Sequence, residues 1–358
     1  MGYLRYPSYY PKFRCTASAC THNCCLAGWE IDIDDETLTY YQQVDGACGD
    51  RLRAHIALPA EPGETAHFML DTQGRCPFLG KHNLCDIYTE LGAEHLCQIC
   101  TEHPRYYDWF SDGTEAGVGL CCEAAAELIL QNTSVPALEA VPDDDFEPEA
   151  LSEDERAAEH ELFRMRDELF HIVKAEPYLP LEERMNRLYS TAVNMQKTCD
   201  TWMFSAAEAA YVPNWTDAFW QLGSLTRLLD FFLTLEINEP AWRDLLFETK
   251  AQLPELLRHR QAFLSCYQDN LYEYEQLLLY FLYRHFMGAR WDGMLCGRVN
   301  FALISTCMIQ LLDIQTWLTE GCLTHARRKC KIIVRLFPDS KSWDNTLKSR
   351  KTPGEFFE

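Results

Sequence analysis

Eleven of the seventeen cysteines fall between Cys15 and Cys122, and the other six are spread over the remaining two-thirds of the chain. In order they read Cys15-x4-Cys20-x3-Cys24-Cys25, an isolated Cys48, Cys76-Pro-Phe-Leu with Cys85, Cys97-x2-Cys100, and Cys121-Cys122. A C-x2-C pair such as Cys97 and Cys100 turns two thiolates toward one centre, because the two intervening residues form a tight turn. Adjacent Cys24 and Cys25 diverge by about 100° on a helix and to opposite faces on a strand, so both serve only at a bend or at separate centres. Soft thiolates select zinc, copper(I) or iron–sulfur clusters over magnesium or calcium. Structural zinc sites typically show two close pairs. One pair joined by scattered single cysteines matches iron–sulfur ligation better, with zinc and plain reduced thiols as the alternatives that spacing leaves open. His22, His82, His95 and His103 lie among these cysteines and are replacement ligands in kind.

The compartment decides whether such thiols read as disulfides. The opening MGYLRYPSYYPKFRC has no apolar core of a signal peptide, and no apolar run reaches the ~18 residues of a membrane span. The expectation is therefore a cytoplasmic chain with reduced thiols, used for metal binding or redox chemistry. A net charge of −22, from 32 Lys+Arg against 54 Asp+Glu, repels nucleic acid and anionic membrane surfaces over most of the molecule. With 358 residues, 47% of them hydrophobic, the chain is long enough to bury a core without disulfides.

Charge divides the sequence. Residues 1–130 carry 8 basic and 19 acidic residues, 131–160 carry 1 and 10, and 161–358 carry 23 and 25. The stretch VPALEAVPDDDFEPEALSEDE, acidic and with three prolines, reads as a solvated linker. Three parts are expected: a Cys-rich domain over 1–130, an acidic linker over 131–150 and a helical domain over 151–358. Ser152 and Glu155 make a capping box ahead of Leu162, Met165, Leu169, Phe170 and Val173 at helical spacing. Further helices are predicted over 180–198, 216–236, 240–265, 270–288, 297–319 and 322–336, with Pro180 and Pro240 in first turns and a kink at Pro254. The basic stretch Arg327–Lys351 is a solvated tail or a docking face for an acidic partner. The fold class expected is mainly α: a metal-centred N-terminal domain of short helices and loops, followed by an all-α domain.

The motifs together resemble a family. C-x4-C-x3-CC-x-x-GW with I-D-I-D (Cys15 to Asp34), C-PFL (Cys76 to Leu79), LC-x-I (Leu84 to Ile87), LG-x3-LC-x2-C-x2-HPR (Leu91 to Arg105) and CCEAA (Cys121 to Ala125) resemble the FliB-type flagellin lysine-N-methylases. Their N-terminal part is similar to the YkgJ-type CxxCxxCC zinc- or iron-chelating domain. The resemblance implies methylation of flagellin lysine side chains, an iron–sulfur centre, most simply 4Fe-4S, and S-adenosylmethionine as donor. Carried over by motif, the metal ligands are Cys15, Cys20, Cys24, Cys25, Cys76, Cys85, Cys97, Cys100 and Cys122. That set exceeds one four-iron cluster, so some members are structural or a second metal is bound. His103 stands where a tyrosine is usual before Pro-Arg. CCEAAAE stands in place of SCPEAAR and leaves Cys121 and Cys122 competing for one ligand position. Cys48 and the six cysteines from Cys199 onward are read as ordinary buried thiols.

Tested from the residues upward, the methylase reading lacks a conventional donor site. Gly117-Val118-Gly119 is the nearest approach to a glycine-rich nucleotide turn, and it runs into Cys121 with no βαβ pattern. Cys20-x3-Cys24 is followed by Ala27 where a C-x3-C-x2-C motif needs cysteine. Methyl transfer to lysine requires a neutral amine and a route for its proton. Tyr106, Tyr107, Asp32 and Asp34 are of suitable type, and none is assigned a catalytic role. The alternatives are a non-catalytic zinc- or iron-binding accessory protein and a redox protein.

Overall fold

A computed structural model describes residues 2–21, 23–26, 28–59, 61, 63–148, 150–175, 179–199, 214–235 and 240–321. The chain opens with β1 (Gly2–Pro7) and then leaves the sheet for almost a hundred residues. That excursion holds β2 (Asp32–Ile33), α1 (Asp35–Gln43), α2 (Gly46–His55), β3 (Ile56–Ala57), β4 (Ala66–Phe68), α3 (Asp86–Glu90) and α4 (Gln98–Glu102). The chain returns as the hairpin β5 (Arg105–Phe110) and β6 (Gly113–Val118), then α5 (Glu123–Leu130) and β7 (Leu138–Asp143). The main sheet has the order β5-β6-β1-β7, with β1 parallel to β6 and antiparallel to β7. A small second sheet, β2-β4-β3, belongs to the excursion.

The protein is mainly helical, but its first third is not the expected assembly of helices and loops. Strand β5, RYYDWF, shows why. Tyr106 and Phe110 are buried while Trp109 is 63% exposed, an alternation of period two that six residues barely reveal in sequence. The stretch 131–150 is likewise no free linker, since β7 pairs residue by residue with β1 from Leu138↔Pro7 to Asp143↔Gly2. It is an edge strand, and its exposed acids and Pro142 are compatible with that place, because an edge tolerates a missing donor and charge discourages further pairing.

The helical body begins with α6 (Glu153–Ala175), capped as the capping box predicts. Ser152 N and Oγ both donate to the Glu155 carboxylate, and Glu155 N donates back to Ser152 Oγ at 3.2 Å. Leu162, Met165, Leu169, Phe170 and Val173 are all buried. Then come α7 (Leu181–Thr198), α8 (Trp215–Phe219), α9 (Leu222–Thr234), α10 (Pro240–Cys266), α11 (Tyr272–His285), α12 (Ala289–Asp292) and α13 (Leu295–Glu320). The single helix expected over 216–236 is two, α8 capped by Asn214 and α9 beginning after Gln221. Pro180 caps α7 rather than sitting in its first turn, and Pro254 is carried inside α10. The helix expected over 322–336 and the basic stretch 327–351 lie outside the described residues.

Helix α13 is apolar nearly all round, the pattern of a helix buried on every side. It is long and apolar enough to cross a membrane, yet 94% of its most apolar window is buried inside the protein. It packs against α7, α10 and α11. The same core takes in Tyr9, Phe13, Tyr106, Phe110, Val118 and Leu120 from the N-terminal third, so sheet and bundle share one interior. A second, smaller core gathers Ile31, Ile33, Tyr41, Leu52, Phe68, Phe78 and Ile87 around the buried thiols of Cys76 and Cys97. The excursion thus has a small core of its own, apart from the one that the flanking strands share with the helices.

Candidate functional site

Five of the nine candidate cysteines, Cys25, Cys76, Cys85, Cys97 and Cys100, lie in or against the smaller core, and Cys24 is the neighbour of Cys25. Cys24 and Cys25 sit in a short helical turn, Cys24–Leu26, which supplies the bend that adjacent cysteines need. Two bonds fix that turn: Cys25 N donates to Asn23 Oδ1 at 2.9 Å and Trp29 Nε1 to Cys24 O at 2.8 Å. Cys76 N donates to Cys25 O at 2.8 Å, tying the second motif to the first. Glycine is required beside this join. A Cβ on Gly74 would stand 2.7 Å from Gly28 Cα, and both residues have positive φ, +73° and +72°. Cys85 precedes α3, and Asp86 N donates back to Phe78 O at 2.7 Å. Cys97 caps α4 with Cys100 one turn on, where Cys100 N donates to Cys97 O at 3.0 Å.

The electrostatics of these thiols follow from their pairing. Cys25 lies between Cys24 and Cys76 and shares its one proton with them, so its own ionisation is pushed far up while Cys24 is lowered to about 7 and Cys76 is lowered too. In the same way Cys100 supports the thiolate of Cys97, which is lowered, and is itself raised. Burial raises Cys85. Cys76 acts on Cys85, Cys97 and Cys100 through space, and Tyr41, whose hydroxyl donates to His95 O at 2.7 Å, is raised by burial and then by Cys97, Cys100 and Cys85. Cys24, Cys25, Cys76, Cys85, Cys97 and Cys100 thus share one neighbourhood.

A second group lies against α5. The Glu123 carboxylate, 7% exposed, accepts from Thr21 N at 2.9 Å and Thr21 Oγ1 at 2.7 Å, with Cys20 Sγ at 3.8 Å. Cys122 caps α5 and is pushed up to about 12, first by burial and further by Cys121 and Cys20. Glu123 is the polar residue that a search for cysteines passes over, although it stands inside the CCEAA motif. Cys15 is exposed, its Sγ accepting from Ala17 N at 3.3 Å, and belongs to neither group. Among the described residues no three His, Cys, Asp or Glu side chains are arranged to hold a metal ion. The donor set fits a thiolate-ligated metal in chemistry and in burial; Cys25 is linked to Cys24 and Cys76, and Cys97 to Cys100.

The other candidates are structural here. Asp34 caps α1, accepting from Thr37 N at 2.9 Å, and its second oxygen accepts from Gln98 N at 2.8 Å, which fastens α4 and its cysteines to α1. Asp32 accepts from Thr65 Oγ1 at 2.8 Å across the small sheet. Tyr107 shares a hydrogen bond with Tyr10, and Tyr106 is buried beneath the guanidinium of Arg284. Gly117 lies on β6, antiparallel to β5, so no βαβ turn is formed there. His103 stacks on Trp29, ring centroids 5.3 Å apart, and His95 on Tyr40 at 4.0 Å; His22 lies outside the described residues. Of the cysteines read as ordinary buried thiols, Cys296 and Cys307 are buried, Cys48 and Cys199 are half-buried and Cys266 is exposed, while Cys322 and Cys330 lie outside the described residues.

Fold and site define a mainly helical protein that carries a small thiol-rich lobe on a sheet-backed bundle. Residues 175–336 match the family model of the FliB lysine N-methylase C-terminal domain, so the helical part, from the end of α6 onward, is similar to that family. Lysine-N-methylases of Salmonella choleraesuis and Salmonella typhimurium are each 28% identical over 137 residues, 37% of this chain and 33% of each relative. The flagellar biosynthetic protein FliU of Salmonella muenchen is 27% identical over 137 residues, 79% of its own length. The aligned region spans about a third of the two lysine-N-methylases. No solved structure matches.

Proposed function

We propose that this chain is a protein-lysine N-methyltransferase acting on flagellin, with a cysteine-ligated iron–sulfur centre and S-adenosylmethionine as donor. The observation that carries the reading is the match of residues 175–336 to the FliB lysine N-methylase C-terminal domain, joined to lysine-N-methylases among the similar proteins. The flagellar name of the FliU relative supports flagellin as the substrate. The thiol-rich lobe supports the metal: Cys24, Cys25, Cys76, Cys85, Cys97 and Cys100 are the residues that would hold it, with Cys20 and Cys122 for a second centre. When bound, a thiolate-ligated iron centre supplies redox or Lewis-acid chemistry. The described cysteines are free thiols, and the reducing compartment in which thiols persist is the cytoplasm.

Methyl transfer needs a lysine amine that has shed its proton, which burial beside apolar or phenolic groups favours. The chain's acidity supports a lysine-bearing partner, since a surface of net −22 draws a basic segment toward it. The test is direct. Anaerobically purified protein, its iron, sulfide and zinc quantified, is incubated with flagellin and methyl-labelled S-adenosylmethionine. Label on lysine is expected, and loss of the transfer when the metal is chelated beforehand is the second expected result. A well-metallated protein that transfers nothing would instead fit a zinc- or iron-binding accessory protein, and a reversible optical change with reductant but no transfer would fit a redox protein.

A further inference from the structure

The main sheet turns one face to α6 and the other away from it. On the inner face Arg5 lies over the Phe163 ring, Phe110 packs against Phe163, and Glu115 pairs with Arg166. Successive residues of a strand alternate between faces and register partners share one, so the outer face carries Leu4, Tyr6, Tyr107, Trp109, Glu139 and Val141. Thr114 and Ala116 of β6 are buried between them, whereas Trp109 and Val141 are exposed. Tyr10 covers one end, its ring 5.4 Å from that of Tyr6 and its hydroxyl 3.2 Å from that of Tyr107. At the other end Gly2 makes room for Phe146, whose ring a Cβ at that position would overlap. This contact sets the run Asp143, Asp144, Asp145 and Glu147 along the rim of the face.

The two sides of β5 differ in what their rings meet. The inward rings are served by the chain's own cations: the guanidinium of Arg284 is 3.5 Å from the centre of the Tyr106 ring, and that of Arg290 is 4.5 Å from Phe110. The outward rings of Tyr107 and Trp109, and Tyr6 beside them, carry no such cation among the described residues, and Glu139 and the rim carboxylates have no described Lys or Arg as ion-pair partner. Aromatic faces flanked by carboxylates attract a cation on an apolar stem, which is what a lysine side chain is. An acidic partner is repelled by the same rim. Arg290 Nη1 donates to Trp109 O at 2.6 Å and so occupies a carbonyl of the edge strand; a partner therefore meets the face of the sheet and adds no strand there.

We propose that this outer face docks a lysine-bearing segment of the protein substrate, with its side-chain stems and ammonium groups against Tyr6, Tyr107 and Trp109 and inside the acidic rim. The choice of occupant rests on the methylase reading. Affinity of the full chain for monomeric flagellin and methyl transfer to it are measured side by side. Trp109→Ala is expected to weaken binding and raise KM by about tenfold with kcat kept, as for the loss of an aromatic anchor from an interface. Glu139→Lys should weaken binding by about threefold, an effect that fades with added salt. Phe247→Ala, an exposed ring on α10, should change neither quantity. Flagellin with acetylated lysines should bind the unmodified protein about tenfold more weakly. Circular dichroism checks that each variant is folded, and light should join Trp109→p-benzoylphenylalanine to flagellin. Transfer with unchanged KM in folded Trp109→Ala, full binding of acetylated flagellin, or crosslinks only to a second copy or to the chain itself would overturn the proposal and leave the methylase reading standing. Binding through Trp109 without transfer would keep the docking face and sink the methylase reading; neither binding nor transfer would sink both.

Discussion

The two interiors of this protein are closed by different means. In the body, long helices and a four-stranded sheet bury aromatic and aliphatic side chains in one continuous core, and α13 is enclosed along most of its length. In the lobe, helices of five to ten residues and strands of two or three surround a short set of apolar residues, with Cys76 and Cys97 buried among them. Short elements cannot close over a large core, and isolated helices of this length are marginal in water. The lobe therefore depends on side-chain ties: Arg51 to Asp86 at 2.7 Å, Arg75 Nη2 to Leu79 O at 2.7 Å, and Asp34 to α4. A thiolate-ligated metal would add a further tie of the same kind.

This contrast predicts where the molecule breaks. The largest single loss is expected in the body, at the ion pair of Arg166 with Glu115, whose side chains are 2% and 4% exposed and which joins α6 to β6. Arg166→Met leaves the carboxylate buried and unpaired and should cost about 3–5 kcal/mol in urea denaturation. The double variant with Glu115→Gln should recover much of that. A loss below about 1 kcal/mol would mean the sheet and bundle are not locked through this pair.

Next in size, Leu52→Ala in the lobe removes a fully buried side chain and should cost about 2–5 kcal/mol. Hydrogen exchange should show the loss confined to residues of the smaller core, with α11 and α13 still protected. Uniform loss across both cores would erase the distinction between lobe and body. A smaller effect is expected from Ser152→Ala, about 1 kcal/mol from the lost cap of α6, read as a lower melting temperature.

The smallest concerns pH. Burial lowers the His103 ionisation below its ordinary value, so the folded lobe binds its proton more weakly than the unfolded chain does. The lobe's stability is then fullest above about pH 6.5 and declines as pH falls through that value toward the lowered one, no faster than about 1.4 kcal/mol per pH unit for one proton. In His103→Gln that part of the acid sensitivity should disappear. An unchanged acid profile in this variant would place the titrating group elsewhere.

Much of the body was legible in sequence. The capping box at Ser152, the apolar stripe of α6 and the boundaries of α7, α10 and α13 follow from helical period and end signals, which are local. The sheet was not. β1, β5, β6 and β7 are short, and β1 pairs with strands more than a hundred residues away, so no local window contains the pattern that makes them strands. The acidic, proline-containing stretch read as a linker for the same reason: its partner, β1, is at the other end of the first third of the chain.

Sequence alone determined the kinds of donor available, the helical character of the last two-thirds, and the motifs that resemble lysine-N-methylases, because residue type and short-range period are properties of the chain itself. Only the tertiary structure decided which thiols are neighbours. Cys24, Cys25, Cys76, Cys85, Cys97 and Cys100 come together while Cys20 stands against Glu123 and near Cys122, and Cys15 joins neither. Loop closure over tens of residues, set by the Gly28–Gly74 approach and the Asp34 cap, fixes those partnerships, and spacing along the chain carries no record of it.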